Sequence, residues 1–396
     1  MKSIMKIQRR ALSALCCVAL ALAALGGCGS SAEGGNSAEL ESLQAQLEDM
    51  QRELDELKGS QTASEGVPAA NANAKSAEST PTPQLNPTNA NGNFREAHGA
   101  LKVVNGRLLD QNDEPVRLYG MSTHGLSWYP QYVTEETFRS LRDEWGINCV
   151  RLALYTAENG GYCTDGDQSM LRNHILNGVN HATNLGMYVI VDWHILSEQD
   201  PNVYKEQAKE FFDWVSSSYG GYTNVIYEIC NEPNGYATWD SVKSYAEEVI
   251  PVIRANDPDA LILVGTPTWS QDIDKALADP LSFDNVLYTL HFYAATHKDE
   301  LRSRLKKCAN AGLPVFISEF GTCDASGNGG NDFAQTEEWM KLAEDYNIST
   351  VAWNLSNKNE TSGVFANGCE KLSGWSDADL KESGVWLKNY FGGLSR

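Results

Sequence analysis

Asn224-Val225-Ile226-Tyr227-Glu228-Ile229-Cys230-Asn231-Glu232-Pro233 is the stretch on which the reading of this chain turns. Its apolar run, residues 225–229, resembles a strand covered on both faces, and it gives way at once to loop chemistry at Asn231, Glu232 and Pro233. An acid at the end of a buried strand is poorly solvated, so it either finds a partner or takes part in a reaction. The same design recurs at Pro314-Val315-Phe316-Ile317-Ser318-Glu319-Phe320-Gly321. Two carboxylates so placed on separate strands suggest catalysis by an acid pair. Glu228 lies inside the first run, about 13 Å below Glu232 at the rise of a strand, and is assigned a structural role.

Outward from these two stretches the pattern repeats. Apolar runs at 116–121, 147–154, 187–193, 224–229, 261–265, 286–292, 314–318 and 349–353 alternate with amphipathic stretches at 135–145, 168–185, 203–219, 241–255, 271–278, 298–311, 332–346 and 379–390. Near-continuous apolar strands joined by helices predict a parallel sheet buried on both faces. Eight such units close into an α/β fold, the (β/α)₈ TIM barrel. A doubly wound sheet is the rival, but no run opens onto a Gly-x-Gly-x-x-Gly turn. A short N-terminal β-hairpin, 101–104 with 107–109, precedes the barrel, and the domain is placed at 97–396.

The first 96 residues have another character. Lys2, Lys6, Arg9 and Arg10 precede an apolar stretch, 11–25, that is short for a bilayer span and ends in small residues, so 1–27 reads as an export signal. Leu25-Gly26-Gly27-Cys28 resembles the lipobox of bacterial lipoproteins. That resemblance implies a lipid on Cys28, with 28–36 as the anchor segment, and holds the protein to a membrane of the bacterial cell envelope or cell surface; ordinary secretion is the alternative. Leu40, Leu43, Leu47, Met50, Leu54 and Leu57 then form a heptad seam over 37–58. So short a coiled-coil-like stretch suits a solvated helical stalk or weak self-association. Residues 59–96, rich in Ala, Asn, Pro, Ser and Thr, are expected to be a disordered linker.

A net charge of −21 disfavours nucleic acid as a partner and suits a neutral or cationic substrate. Of nine cysteines, Cys16 and Cys17 leave with the signal. Cys149 and Cys230 fall in strand-like runs as buried thiols, whereas Cys163, Cys323 and Cys369 fall in loops, where a Cys323–Cys369 bridge is a candidate. Trp145, Trp214 and Trp339 lie in helical patterns and are assigned to the core.

In such barrels function lies at the C-terminal strand ends. There the sequence places His124, Trp128 and Tyr129; Arg151 and Tyr155; Asp192-Trp193-His194; Asn231-Glu232; Trp269; His291-Phe292-Tyr293; Glu319; and Trp353, Lys358 and Glu360. Asn231-Glu232-Pro233, Ser318-Glu319-Phe320-Gly321, His291-Phe292-Tyr293 and Trp193-His194 resemble glycoside hydrolase family 5. Residues 122–129, 151–156 and Trp353-Asn354-Leu355-Ser356 are similar, more narrowly, to its bacterial endo-β-1,4-glucanases, the cellulases.

The resemblance implies a β-glucan polysaccharide substrate, with Glu232 as general acid/base and Glu319 as nucleophile of a retaining mechanism. It further implies that Arg151 and Tyr293 support Glu319, that His291 belongs to the catalytic set, and that Asn231 hydrogen-bonds the sugar 2-hydroxyl. Trp353 would floor the sugar beside the scissile bond, with Trp128 and Trp269 lining neighbouring subsites. His124, Tyr129, Tyr155, His194, Ala325, Ser326, Lys358 and Glu360 complete the expected substrate contacts. One departure is visible, since the family's usual Glu-Trp-Gly is Glu319-Phe320-Gly321 here.

Other readings stay open. His124, His194 and His291 suggest a metal-dependent hydrolase, but no His-x-His or His-Glu-x-x-His pair supports it, so neither metal nor cofactor is expected. Mannan, xyloglucan and lichenan are alternative substrates on the same scaffold, and a surface protein that binds polysaccharide without turnover is the rival outside enzymes.

Overall fold

Eight parallel strands close on themselves in the computed structural model, which describes residues 93–394. The signal, the Cys28 anchor, the 37–58 stalk and nearly all of the linker lie outside the described residues. In chain order the elements are α1 (Phe94–His98), β1 (Lys102–Val104), β2 (Arg107–Leu109), β3 (Tyr119–Thr123), α2 (Glu135–Trp145), β4 (Cys149–Tyr155), α3 (Gln168–Asn184), β5 (Tyr188–His194), α4 (Lys205–Tyr219) and β6 (Val225–Glu228). They continue with α5 (Trp239–Asn256), β7 (Leu261–Val264), α6 (Ile273–Ala278), β8 (Val286–Tyr293), α7 (Asp299–Asn310), β9 (Val315–Gly321), α8 (Phe333–Asp345), β10 (Thr350–Leu355) and α9 (Glu382–Leu394). Strands β3 to β10 pair in sequence order, and β10 returns to β3, giving the (β/α)₈ barrel.

Helix α1 takes in residues 94–96, which the sequence reading assigns to the linker. Asn93 caps it, and Phe94 packs edge-on against Tyr188 of β5. A lone aromatic in a polar stretch was too weak a signal to move the boundary. The hairpin turns at Asn105-Gly106, both at positive φ, as a two-residue hairpin turn requires. Its Leu108, with Leu101 before it, joins Cys149, Tyr188, Ile190, Ile226, Leu261 and Phe316 in one buried cluster. The hairpin therefore plugs the end of the barrel opposite the site.

The helices pack their apolar faces on the outside of the barrel. Thr134 caps α2 through Thr137 N, and Gly146 ends it in the left-handed region at φ 75°. Trp145 and Trp339 are fully buried in this layer, while Trp214 is only half-buried, with the Arg172 guanidinium 4.8 Å from its ring centre. The six described cysteines are free. Cys323 and Cys369 do not bridge: Cys323 is fully buried just after the end of β9, whereas Cys369 is half-buried in a separate loop, where its carbonyl accepts from Tyr132 Oη.

Candidate active site

Strand β9 carries one residue more than its neighbours. Its register with β8 runs Thr289 to Phe316 and then His291 to Glu319, and with β10 Thr350 to Ile317 and then Ala352 to Phe320. This bulge breaks the alternation of side chains, so Ser318 and Glu319 both reach the barrel interior. Tyr293 Oη donates to Glu319 Oε1 at 2.7 Å, and Arg151 Nη1 donates to Glu319 Oε2 at 3.1 Å. Each carboxylate oxygen thus has its own donor. Burial first, then the charges of Glu319 and Glu232, hold the Tyr293 phenol well above its ordinary range, so it stays a donor.

Arg151 is fully buried and reaches five partners, the weakest being Ser122 Oγ, which accepts from Nη1 at 3.4 Å. Besides Glu319 it forks onto Glu228, with Nε to Oε2 at 2.7 Å and Nη2 to Oε1 at 3.3 Å, and its Nη2 also reaches Asp192 Oδ2 at 3.0 Å and Asn231 Oδ1 at 2.6 Å. Burial alone would lower the guanidinium pKa, but the carboxylates of Asp192, Glu228 and Glu319 outweigh it and raise it. Asp192 has no such fork. Burial pushes its carboxyl well above the usual range against the opposing pull of Arg151.

Strand β6 ends at Glu228, so the chain turns over the barrel rim before Glu232 instead of continuing as a strand. Glu232 Oε1 meets His291 Nδ1 at 2.9 Å, and Glu228 Oε1 lies 3.8 Å from His291 Nε2. The two glutamates are therefore one imidazole apart, closer than strand spacing predicts. Donor atoms of Glu232, His291 and Glu319 all lie within 4.8 Å of one another. That set has the composition of a metal site, but His291 Nδ1 is engaged by Glu232 and Nε2 by Ser318 at 2.9 Å, which leaves the ring no free nitrogen.

Asn231 is held just as firmly. Its Oδ1 accepts from Arg151, while Nδ2 donates to Ile195 O at 3.1 Å and faces His194 Nε2 at 3.2 Å. His194 Nδ1 in turn faces Asp192 Oδ2 at 2.6 Å. Burial, with Arg151 nearby, lowers the His194 pKa to about 4, so a neutral ring donates from Nδ1 and accepts at Nε2.

An aromatic floor lies beside the acids. Trp353 stacks on His194 at 5.2 Å, His194 meets Tyr155 at 4.1 Å, and Tyr155 meets Trp128 at 4.7 Å. His124 touches Trp128, Tyr129 and Trp353. Burial, then the charges of Lys358 and His194, keep the His124 pKa well below its ordinary value. Lys358 Nζ pairs with Glu360 Oε2 at 2.8 Å, and Glu360 Oε1 lies 3.8 Å from His124 Nε2, which continues the floor as a polar edge.

Trp269 stands apart from this floor. It is 46 % exposed, and its backbone N–H donates to Pro233 O at 3.0 Å, beside the Glu232 loop. Thr268, Trp269 and Ser270 all lie at positive φ, a conformation that non-glycine residues adopt only when neighbours impose it. Ser270 Oγ imposes it here by donating to Asn231 O at 2.6 Å. Ala325 and Ser326 occupy the exposed loop after β9, where Ala325 N donates to Thr296 Oγ1.

The model of the family described as cellulase, glycosyl hydrolase family 5, matches residues 109–359. The chain belongs to that family. It is 47 % identical over 296 residues to an endoglucanase of Clostridium saccharobutylicum, covering 74 % of this chain and 65 % of that protein. To endoglucanase A of Butyrivibrio fibrisolvens it is 49 % identical over 293 residues, covering 73 % and 68 %. The chain thus spans about two-thirds of the length of these relatives. Among solved structures, the cellulase Cel5C_n matches at 43 % identity and a TM-score of 0.72, over 74 % of this chain and 92 % of that one. The catalytic domain of Thermobifida fusca endoglucanase Cel5A matches at 38 % identity and 0.72, over 75 % and 98 %.

Within this family 5 barrel three residues beside the acids were not assigned to the site from the sequence. Glu228 was set aside as remote, and Ser318 was read only as part of a motif, because bulges leave no local signature. Tyr236, four residues after Glu232, is 63 % exposed with its Oη on Glu198 O at 3.4 Å. An exposed aromatic on the acid's own loop was the signal available for it.

Proposed function

We propose that this family 5 chain is an endo-acting retaining hydrolase of internal β-1,4-glucosidic bonds in cellulose and related β-glucans. One observation carries the reading: oxygens of Glu232 and Glu319 approach within 4.8 Å. Retaining glycosidases hold their carboxyl groups about 5–5.5 Å apart, whereas inverting ones leave room for a water at about 6.5–9.5 Å. Glu319, fixed by Tyr293 and Arg151, attacks the anomeric carbon while Glu232 gives its proton to the leaving oxygen. Water then opens the glycosyl-enzyme, with Glu232 taking the proton back. The Trp353–His194–Tyr155–Trp128 floor suits the flat C–H faces of glucose rings, and the Lys358–Glu360 edge suits their hydroxyls. The T. fusca catalytic domain in complex with cellotetraose supports the glucan choice.

Reducing-sugar release from carboxymethylcellulose, barley β-glucan, xyloglucan and galactomannan, with products sized, tests the reading. The glucans should be cut internally. A preference for galactomannan overturns the substrate, and binding without release overturns the enzyme. Glu319→Ala and Glu232→Ala should each nearly abolish activity on polymer, and azide with an activated glycoside should give products of opposite anomeric configuration from the two variants.

The Lys2-to-Leu25 pattern and the Leu25-Gly26-Gly27-Cys28 sequence further support an exported protein held to a bacterial envelope membrane by lipid on Cys28. Loss of membrane association on Cys28→Ala checks it.

A further inference from the structure

A chain of side-chain hydrogen bonds runs beneath the cleft and joins the two catalytic carboxylates. His291 Nδ1 faces Glu232 Oε1 at 2.9 Å and Nε2 faces Ser318 Oγ at 2.9 Å. Ser318 Oγ donates to Glu228 Oε1 at 2.7 Å, Glu228 Oε2 accepts from Arg151 Nε at 2.7 Å, and Arg151 Nη1 donates to Glu319 Oε2 at 3.1 Å. All six residues are buried.

The proton positions follow from counting donors. Ser318 has one hydroxyl proton and gives it to Glu228, so its oxygen accepts from His291, and Nε2 must carry hydrogen. One proton then remains to be shared between His291 Nδ1 and Glu232 Oε1, either as imidazolium against carboxylate or as imidazole against carboxylic acid.

We propose that Ser318 and Glu228 are positioning residues of this acid/base couple: the fixed anion Glu228, acting through the Ser318 hydroxyl, keeps the shared proton on His291–Glu232 until the leaving oxygen takes it. The proposal rests on the reading of Glu232 as acid/base. In the first step the couple gives its proton to the leaving oxygen, leaving Glu232 as carboxylate against neutral, Nε2-protonated His291. In the second, water gives a proton back to Glu232 as its oxygen bonds to the anomeric carbon, and Glu319 leaves as carboxylate. The proton count closes over one turnover, with Ser318 and Glu228 unchanged.

The surrounding charges agree. His291 is faced by Glu228, Glu232 and Glu319; burial alone would lower its pKa, but hydrogen bonds with Glu228 and Glu232 and the charges of Glu319 and Glu232 raise it to about 9. Glu228 faces Arg151, His291, Asp192 and the thiols of Cys149 and Cys230. Burial would raise the Glu228 pKa, yet the Arg151 charge and the bonds to His291 and Arg151 hold it at about 2, an anion at any working pH. Without the hydroxyl, His291 Nε2–H is left buried with only Glu228 Oε1, 3.8 Å away, to face, and the protonated couple loses its close acceptor.

Ser318→Ala in the full chain is the test. The alkaline limb of kcat/KM on cello-oligosaccharides should move down by about one pH unit, the scale of one lost charge-assisted hydrogen bond. KM should stay within about twofold while kcat falls. An aryl cellobioside whose leaving group needs no acid should be cleaved at close to the wild-type rate in its glycosylation step. Ser318→Thr, which keeps the hydroxyl, should restore the limb. Histidine ring ¹⁵N resonances, with His291 assigned by its loss in His291→Gln, should show the same downward shift in Ser318→Ala. An unmoved limb and an unmoved His291 titration, with activity merely reduced, overturn the proposal. If Ser318→Ala does not fold, the wild-type resonance decides: His291 titrating at its ordinary value of 6.5 overturns it, and a value near 9 supports it. That readout needs no substrate, so it separates failure of this proposal from failure of the hydrolase reading.

Discussion

Asn231 illustrates how little slack this site holds at the scale of single residues. Its amide oxygen is taken by Arg151, and its amide nitrogen by Ile195 O and His194 Nε2. A sugar 2-hydroxyl can reach that nitrogen only by taking over or sharing the His194 contact, the longest of the three at 3.2 Å. A substrate bound as proposed would find a donor already aimed by protein partners, which would limit reorganisation during the reaction. Glu228 shows the energetic side of the same packing. Its folded pKa of about 2 lies below the ordinary 4.5, so its contribution to stability is fully present above about 4.5 and is lost as pH falls through about 2. Asp192, raised by burial, acts with the opposite sign, so the difference between wild type and a variant is the informative quantity. Glu228→Gln leaves Arg151 short of a buried partner and should cost on the order of 3–5 kcal/mol at neutral pH. Calorimetric unfolding across pH should show the gap between the two proteins full above about 4.5 and narrowing towards about 2.

Strands and helices were legible because their apolar periods are local, but their functional ends were not. The run 314–318 extends in the structure to β9 at Val315–Gly321, and the run 349–353 to β10 at Thr350–Leu355. Polar residues such as Ser318 and Asn354 break an apolar pattern, yet neighbouring strands still pair with the backbone that carries them. For the same reason the strand-end motifs could be read residue by residue, while the contact of Arg151 with Glu228 could not. It exists only because β4 and β6 flank β5 and the curvature of the barrel turns their inward side chains towards one another. Phe320 also finds its explanation here. It points away from Glu319 into the helix layer, stacked on Phe292 at 5.3 Å, and Phe292 stacks on Trp339 of α8 at 4.1 Å. Trp339 Nε1 has its own acceptor in His297 O. A tryptophan at 320 would bring a further indole N–H into this apolar stack, so phenylalanine suits it. Phe320→Ala should lower stability by about 3–5 kcal/mol through the cavity it leaves, read as a shifted urea midpoint, with the pH profile of the residual activity unchanged.

The whole molecule joins a catalytic barrel to a long N-terminal segment of different composition, and the two ask for different measurements. The barrel closes on its own hairpin plug and carries every proposed site residue within residues 124–360, so turnover on a soluble oligosaccharide is expected to proceed without the upstream segment. The upstream sequence offers a heptad seam at Leu40, Leu43, Leu47, Met50, Leu54 and Leu57, followed by a stretch rich in Ala, Asn, Pro, Ser and Thr. If the seam associates, two or more barrels share one tether and gain avidity for a polymer, while each cleft works as before. Deletion of residues 37–58 should therefore lower the mass measured by sedimentation equilibrium and weaken retention on insoluble cellulose. The rate per active site on cellotetraose should stay within about twofold, since no catalytic contact is removed. An unchanged mass would reduce the segment to a spacer. A fall in the soluble-substrate rate would instead show that the segment reaches the cleft, and only that result would make the barrel's activity depend on its tether.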